Sequence, residues 1–418
     1  MMKNKFNDEL LNFLDNSTTP FSATANMVKI LTNMNFIRLD ESETFNLIDG
    51  QSYYVTRNDS SLIAFRYNKE LLGFKMMGAH TDSPTLKVKP NPVIKKNSTI
   101  QLGVEPYGGV LFNTWFDRDL SLAGRVTYLN ESENIEDAIL DLKTPIALIP
   151  SLAIHLDKNA NKDRTINAQT DIVPLISSGE KFDFEEFLKS SFKDLGITDV
   201  STILSHELSF YDTQKASYVG LNKEFITSAR IDNLLSCYVI TKALVDSSDN
   251  SLIFCSDHEE VGSDSTSGAG GTFLEEVLRR IHKDDEQYFK AMRASLMISC
   301  DNAHAIHPNF SSKHDENHSP KINQGVVVKV NANQRYASNS SSIAKFKLAA
   351  LKADLKIQEF VTRSDMGCGS TIGPITATKL GVETIDVGVP TFAMHSIRES
   401  AGAQDAQELY EILKLVSF

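Results

Sequence analysis

The sequence predicts an α/β protein: a mixed, mostly parallel sheet sandwiched by helices, with a β-rich domain inserted into it. Three observations carry that expectation. Short apolar runs alternate with helical spacing in the first 88 residues and again after residue 223, the stretch between loses this rhythm, and 418 residues exceed one ordinary domain. Alternation of strand and helix points to parallel strands, because a parallel connection must cross over the sheet and a helix is the usual crossover. Residues 1–88 and 223–418 are therefore assigned to one discontinuous α/β domain, and 89–222 to the insertion.

From about Asn7 to Met34 the spacing is helical, broken at Asn16-Ser17-Thr18-Thr19-Pro20, where Ser17 or Thr19 is placed to cap a second helix. Residues 62–65 and 72–77 then read as short strands. Between about Val88 and Tyr218 the texture changes. Ile100-Gln101-Leu102-Gly103-Val104 alternates with a strand's period of two, and Tyr107-Gly108-Gly109-Val110 is rich in glycine. The α/β rhythm returns at Arg230: Leu234, Leu235, Tyr238, Val239 and Ala243 fit an amphipathic helix, and 252–255 a strand. A glycine-rich turn leads to a helix over 272–281, followed by strands at 296–300 and 326–330.

Hydrophobic residues make up 41% and charged residues 23%, as in soluble globular chains. A net charge of -12 argues against a nucleic-acid partner, since a phosphate-binding face needs clustered Lys and Arg. Cys237, Cys255, Cys300 and Cys368 lack CxxC spacing and mostly lie in apolar runs, which fits free thiols in a reducing compartment. Residues 1–10 mix acids and amides and form no signal-peptide core. No run reaches the roughly 18 apolar residues of a membrane span. The expectation is a cytoplasmic protein with no membrane partner.

In open α/β sheets ligands bind beyond the carboxyl ends of strands, so polar residues that follow apolar runs carry the most weight. His80 follows 74–79, Glu259 and Glu260 follow 252–255, Asp301 follows 296–300, and His395 follows 384–387 after a Val389-Pro390 turn. Asp232 opens the helix after Arg230, where a carboxylate is favoured by the helix dipole. Each also has an ordinary reading: a solvated Glu pair, a satisfied loop His, a helix-capping Asp. As a set they point to metal. Imidazole with carboxylates suits Zn²⁺, with Mn²⁺ and Co²⁺ as alternatives, better than Mg²⁺ or Ca²⁺. Two divalent ions about 3.5–4 Å apart, sharing one carboxylate, use five ligands and activate a water between them. Glu259, beside the ligand Glu260, is then placed to take that water's proton. Asp82, two residues after His80, either orients the imidazole or is a turn acid before Pro84.

Six blocks in order now resemble the aspartyl aminopeptidases, a family of di-zinc co-catalytic metalloaminopeptidases: 78–84 (GAHTDSP), 228–233 (SARIDN), 257–263 (DHEEVGS), 301–309 (DNAHAIHPN), 333–337 (NQRYA) and 393–399 (AMHSIRE). The resemblance covers nearly the whole chain and implies a zinc-peptidase-like fold and removal of amino-terminal residues from peptides. It implies that Asp232 bridges the metals, with His80 and Asp301 at one and Glu260 and His395 at the other, and Glu259 as general base. Residues 149–156 resemble the block whose His reaches a neighbouring subunit's active site, which assigns His155 to the tetrahedral intermediate. The insertion then becomes an assembly domain of a homododecamer.

Two positions depart from the pattern. Asn333 stands where acid-selective animal members carry a Lys, which removes the ion pair behind strict Asp or Glu preference, and Ser22 replaces a common His. The glycine-rich 364–371 is either a tight turn or a source of backbone amides for substrate. The metal kit alone also accommodates a carboxypeptidase or deacylase, and a non-catalytic cargo or scaffold assembly is the reading from another class.

Overall fold

The computed structural model describes residues 5–70 and 72–418; of the amino-terminal stretch read for a leader, residues 1–4 lie outside the described residues. The chain divides into two compact units, one comprising the residues up to Asp82, Ala216–Met394 and Glu399–Phe418, the other Ser83–Lys215 and His395–Arg398. The fold is mixed α/β.

The first unit is built on a nine-stranded sheet. Its strands are β1 (Ile37–Arg38), β2 (Ser52–Arg57), β3 (Ser61–Arg66), β4 (Lys75–His80), β5 (Ser251–Ser256), β6 (Leu296–Cys300), β7 (Val326–Val330), β8 (Ile357–Val361) and β9 (Glu383–Gly388). In space they run β1-β2-β3-β5-β4-β6-β9-β7-β8. The pairs β1–β2, β5–β4, β4–β6, β6–β9 and β7–β8 are parallel, while β2–β3, β3–β5 and β9–β7 are antiparallel.

Every residue of β4, β5 and β6 is buried, as expected for strands covered on both faces. Their side chains alternate between two apolar clusters with the strand's period of two. Met77, Ala79, Ile253 and Cys255 join helices Lys5–Asn16, Pro20–Asn33, Ile231–Val245, Ser340–Lys352 and Asp405–Leu415 in one cluster. Met76, Leu252, Phe254 and Met297 join helices Phe273–Ile281, Asp285–Arg293 and Ile372–Leu380 in the other.

Local chemistry sets the element boundaries. Thr19 caps Pro20–Asn33 in a reciprocal box, with Ser22 N donating to Thr19 Oγ1 (3.4 Å) and Thr19 N to Ser22 Oγ (2.9 Å). Ser22 thus has a structural role. The strand expected at 72–77 occupies 75–80 instead, because its pairing with Ser251 and Leu296 begins at Lys75. Ile231–Val245, expected to be amphipathic, is buried at every position except Lys242. Lys5–Asn16, Pro20–Asn33 and Asp405–Leu415 pack against it, and a helix covered all round has no use for a polar face.

The second unit holds a six-stranded sheet with antiparallel pairings throughout, formed by Thr85–Lys96, Thr99–Tyr107, Leu120–Asn130, Ile135–Asp141, Leu175–Ser178 and Val200–Asp212. Its first hairpin turns at Asn97 and Ser98, both with positive φ (49° and 56°), the two-residue turn whose twist matches paired strands. Leu188 and Phe192 of helix Phe184–Asp194 pack with Leu86, Leu102, Leu122, Leu208 and Phe210 in its core. Among the described residues, no helix is long and apolar enough to cross a membrane. Cys237, Cys255 and Cys300 are buried free thiols, and Cys368 is half-buried.

Candidate metal centre

The central parallel strands end side by side. Register pairs Ser256 with His80 and Ser299 with Gly78, so His80, the turn after β5 and Asp301 after β6 converge at one edge of the sheet. His80 is buried, and its Nδ1 lies 3.0 Å from the Asp82 carbonyl oxygen and 3.3 Å from Asp82 Oδ1. Those acceptors place a proton on Nδ1, so that Nε2 is the lone-pair nitrogen of the neutral ring. Nε2 faces acids: Asp232 Oδ1 at 3.5 Å, Asp301 Oδ1 at 3.7 Å and Glu259 Oε2 at 3.9 Å.

Asp82 does more than orient His80. Its Oδ1 accepts the Glu259 N–H (3.1 Å) and its Oδ2 the Glu260 N–H (3.0 Å), which pins the short turn Glu259–Val261 by its backbone. A buried carboxylate bonded to backbone donors is a firm anchor. The turn-acid alternative for Asp82 does not describe this arrangement.

Asp232 sits at a corner rather than in a regular helical turn, with φ -81° and ψ 107°. Its N–H donates to Glu399 Oε2 (2.9 Å), and Asn233 Nδ2 donates to the Cys300 carbonyl (2.8 Å). The first bond ties the start of the helix to the strand Glu399–Gly402 and the second ties it to the end of β6. Burial first, then Asp301, Asp82 and Asp232, push the Glu259 carboxyl up to about 7, against the opposing effect of His80. Asp301 Oδ2 is bonded by the buried Lys329 Nζ at 3.1 Å.

Within this unit two donor sets lie with their ligand atoms within 4.8 Å of one another: His80 with Asp232 and Asp301, and His80 with Glu259 and Glu260. Converging carboxylates beside one imidazole repel each other unless a cation sits among them. The nitrogen and oxygen donors fit zinc.

Comparison with known proteins agrees with that chemistry. Residues 13–416 match the family model for aminopeptidase I zinc metalloprotease (M18). The chain is 51% identical over 421 residues to a probable M18 family aminopeptidase 2 of Pseudomonas aeruginosa (strain UCBPP-PA14), covering 99% of this chain and 98% of that protein. The chain belongs to the M18 family. It is therefore a zinc metalloaminopeptidase, which sets aside the carboxypeptidase, deacylase and scaffold alternatives. The structure of the Saccharomyces cerevisiae mApe1 dodecamer superposes with a TM-score of 0.85 at 27% identity, covering 98% of this chain and 95% of that one. An M18 aminopeptidase from Thermotoga maritima shares the fold with a TM-score of 0.87 at 23% identity, over 99% and 97% of the two chains.

Three sequence-predicted residues of this M18 aminopeptidase remain, His395, His155 and Asn333. His395 belongs to the second unit, where its Nδ1 donates to the Gly109 carbonyl (3.0 Å), again fixing Nε2 as the lone-pair nitrogen. A Cβ on Gly109 would stand 2.9 Å from His395 Nδ1, so glycine there permits the close approach. His155 is exposed on the loop after Pro150, between Leu152, Ile154 and Leu156, which are themselves exposed. Asn333 is exposed, with its N–H bonded to Asn331 Oδ1 (2.9 Å). In the first unit His304, Lys313, Tyr336, Phe360, Arg363 and Phe392 are among the residues that line a cavity of about 290 Å³.

Lys329 and Glu399 are the residues of this centre that carried no role in the sequence reading. Lys329 had a legible signal, a lysine inside the valine run of β7. Glu399 closes the sixth family block and had none of its own.

Proposed function

We infer that the enzyme removes single residues from the amino termini of peptides, with Asp232 as the bridging ligand, His80 and Asp301 completing one metal site, and Glu260 and His395 the other. The observation that carries this reading is the convergence of His80 Nε2 with the carboxylates of Asp232, Asp301, Glu259 and Glu260 at the ends of three neighbouring strands. Zinc bound there supplies Lewis acidity and an acidified water. Glu259 takes that water's proton and delivers it to the leaving amine; a carboxyl raised toward neutrality by burial is suited to both transfers. Asp82 keeps Glu259 and Glu260 in place by their backbone, and Asp82 and Glu399 fix His80 and Asp232.

The second unit serves assembly in this account. The mApe1 relative is a dodecamer by its own description, and we assign the same kind of homo-oligomer to this chain, with exposed His155 reaching a neighbour's site and stabilising the oxyanion. The helix-sandwiched sheet with an inserted domain, and a cytoplasmic location, belong to the same reading. Asn333 offers no cation for an acidic side chain, so we assign the enzyme peptide amino termini in general rather than Asp and Glu alone.

A panel of peptides beginning with Asp, Glu, Leu, Met and Lys, hydrolysed by zinc-loaded protein with metal analysis on the same sample, tests this. Cleavage across several classes is expected. Confinement to Asp and Glu would refute the specificity assignment, and no release of any free amino-terminal residue would refute the function.

A further inference from the structure

Lys329 lies in β7 among Val326, Val327, Val328 and Val330, and its side chain is only 2% exposed. A lysine in such surroundings is costly unless each of its donors has a partner. Its Nζ is 3.1 Å from Asp301 Oδ2 and 3.1 Å from the Asn302 carbonyl oxygen, and 5.2 Å from the centre of the Tyr336 ring. An ammonium carries three N–H groups, so two bonds and an aromatic face account for all of them. The two oxygens of Asp301 consequently have different surroundings: Oδ2 is held by Lys329, and Oδ1 lies 3.7 Å from His80 Nε2 within the donor set.

We propose that Lys329 is a positioning residue that occupies Asp301 Oδ2, so that Asp301 presents only Oδ1 to the metal centre. A carboxylate free to offer both oxygens raises the coordination number, and a catalytic zinc site works by keeping a position open for water or substrate. Lys329 keeps that position open from outside the centre. The Asn302 carbonyl and the Tyr336 ring prevent it from swinging away, and Tyr336 also walls the 290 Å³ cavity. The inference rests on the reading of Asp301 as a ligand.

Cobalt-substituted full-length protein reads this directly, because the visible absorption of Co²⁺ weakens as its coordination number rises. Lys329→Met is expected to retain both ions, show a weaker visible band, and lose about 10–100-fold in kcat with KM unchanged. Lys329→Arg, which keeps a cationic donor, is expected to restore the wild-type spectrum in large part. A spectrum of Lys329→Met identical to wild type would overturn the proposal, whatever the activity. Should Lys329→Met fail to fold by circular dichroism, Lys329→Gln, too short to hold Oδ2, carries the same two outcomes. Asp301→Ala separates the underlying reading: retention of both Co²⁺ equivalents removes Asp301 as a ligand, whereas loss of one with an unchanged Lys329→Met spectrum sinks the Lys329 proposal alone.

Discussion

His80 and His155 occupy opposite environments in the two units. His80 is 1% exposed at the end of a buried parallel strand, with a partner for Nδ1 and three carboxylates before Nε2. His155 is exposed on a loop whose Leu152, Ile154 and Leu156 are 52%, 49% and 75% exposed. A site held by its own strands, helix corner and backbone anchors is organised before substrate arrives. A histidine on an exposed apolar loop acquires its surroundings from whatever covers that loop. The two histidines are therefore expected to be separable by substitution, His80 failing through the metal centre and His155 without disturbing it.

The largest expected effect is at the buried side. Asp232→Ala removes the proposed shared ligand and is expected to abolish activity and lose metal, measured by elemental analysis after dialysis; full metal occupancy would break the assignment. On the exposed side, His155→Ala is expected to lower kcat by about 10²–10³-fold, the usual cost of one oxyanion donor, with metal content and melting temperature unchanged. A parallel loss of metal would erase the distinction between the two histidines. The smallest effect lies in the scaffold: Thr19→Ala is expected to cost about 1 kcal/mol of stability by thermal or denaturant unfolding while leaving kcat intact.

The strand-end residues were legible because topology does the placing. Once 252–255 and 296–300 are read as buried parallel strands, Glu259, Glu260 and Asp301 must emerge near one another. What topology does not specify is the bonding between them. The Asp82 carboxylate accepts two backbone N–H groups from the turn after the neighbouring strand β5, and no spacing rule reports a bond across 177 residues. Burial of Ile231–Val245 escaped for a related reason, since its apolar spacing fits one face while three helices packed against it cover the rest. Lys329 was visible as an anomaly in a valine run but not as a partner, because its acceptor lies 28 residues away. The role of His155 came from resemblance to a family block, since an exposed loop carries no internal physical signal of its use.

In the proposed mechanism Glu259 moves the proton while its neighbours hold the metal. Glu259→Gln keeps the size and the backbone bond to Asp82 but cannot accept a proton. Two zinc equivalents per chain are expected, with a kcat lower by about 10²–10⁴-fold on a peptide with a free amino terminus. A variant that binds both ions and turns over at the wild-type rate would contradict it.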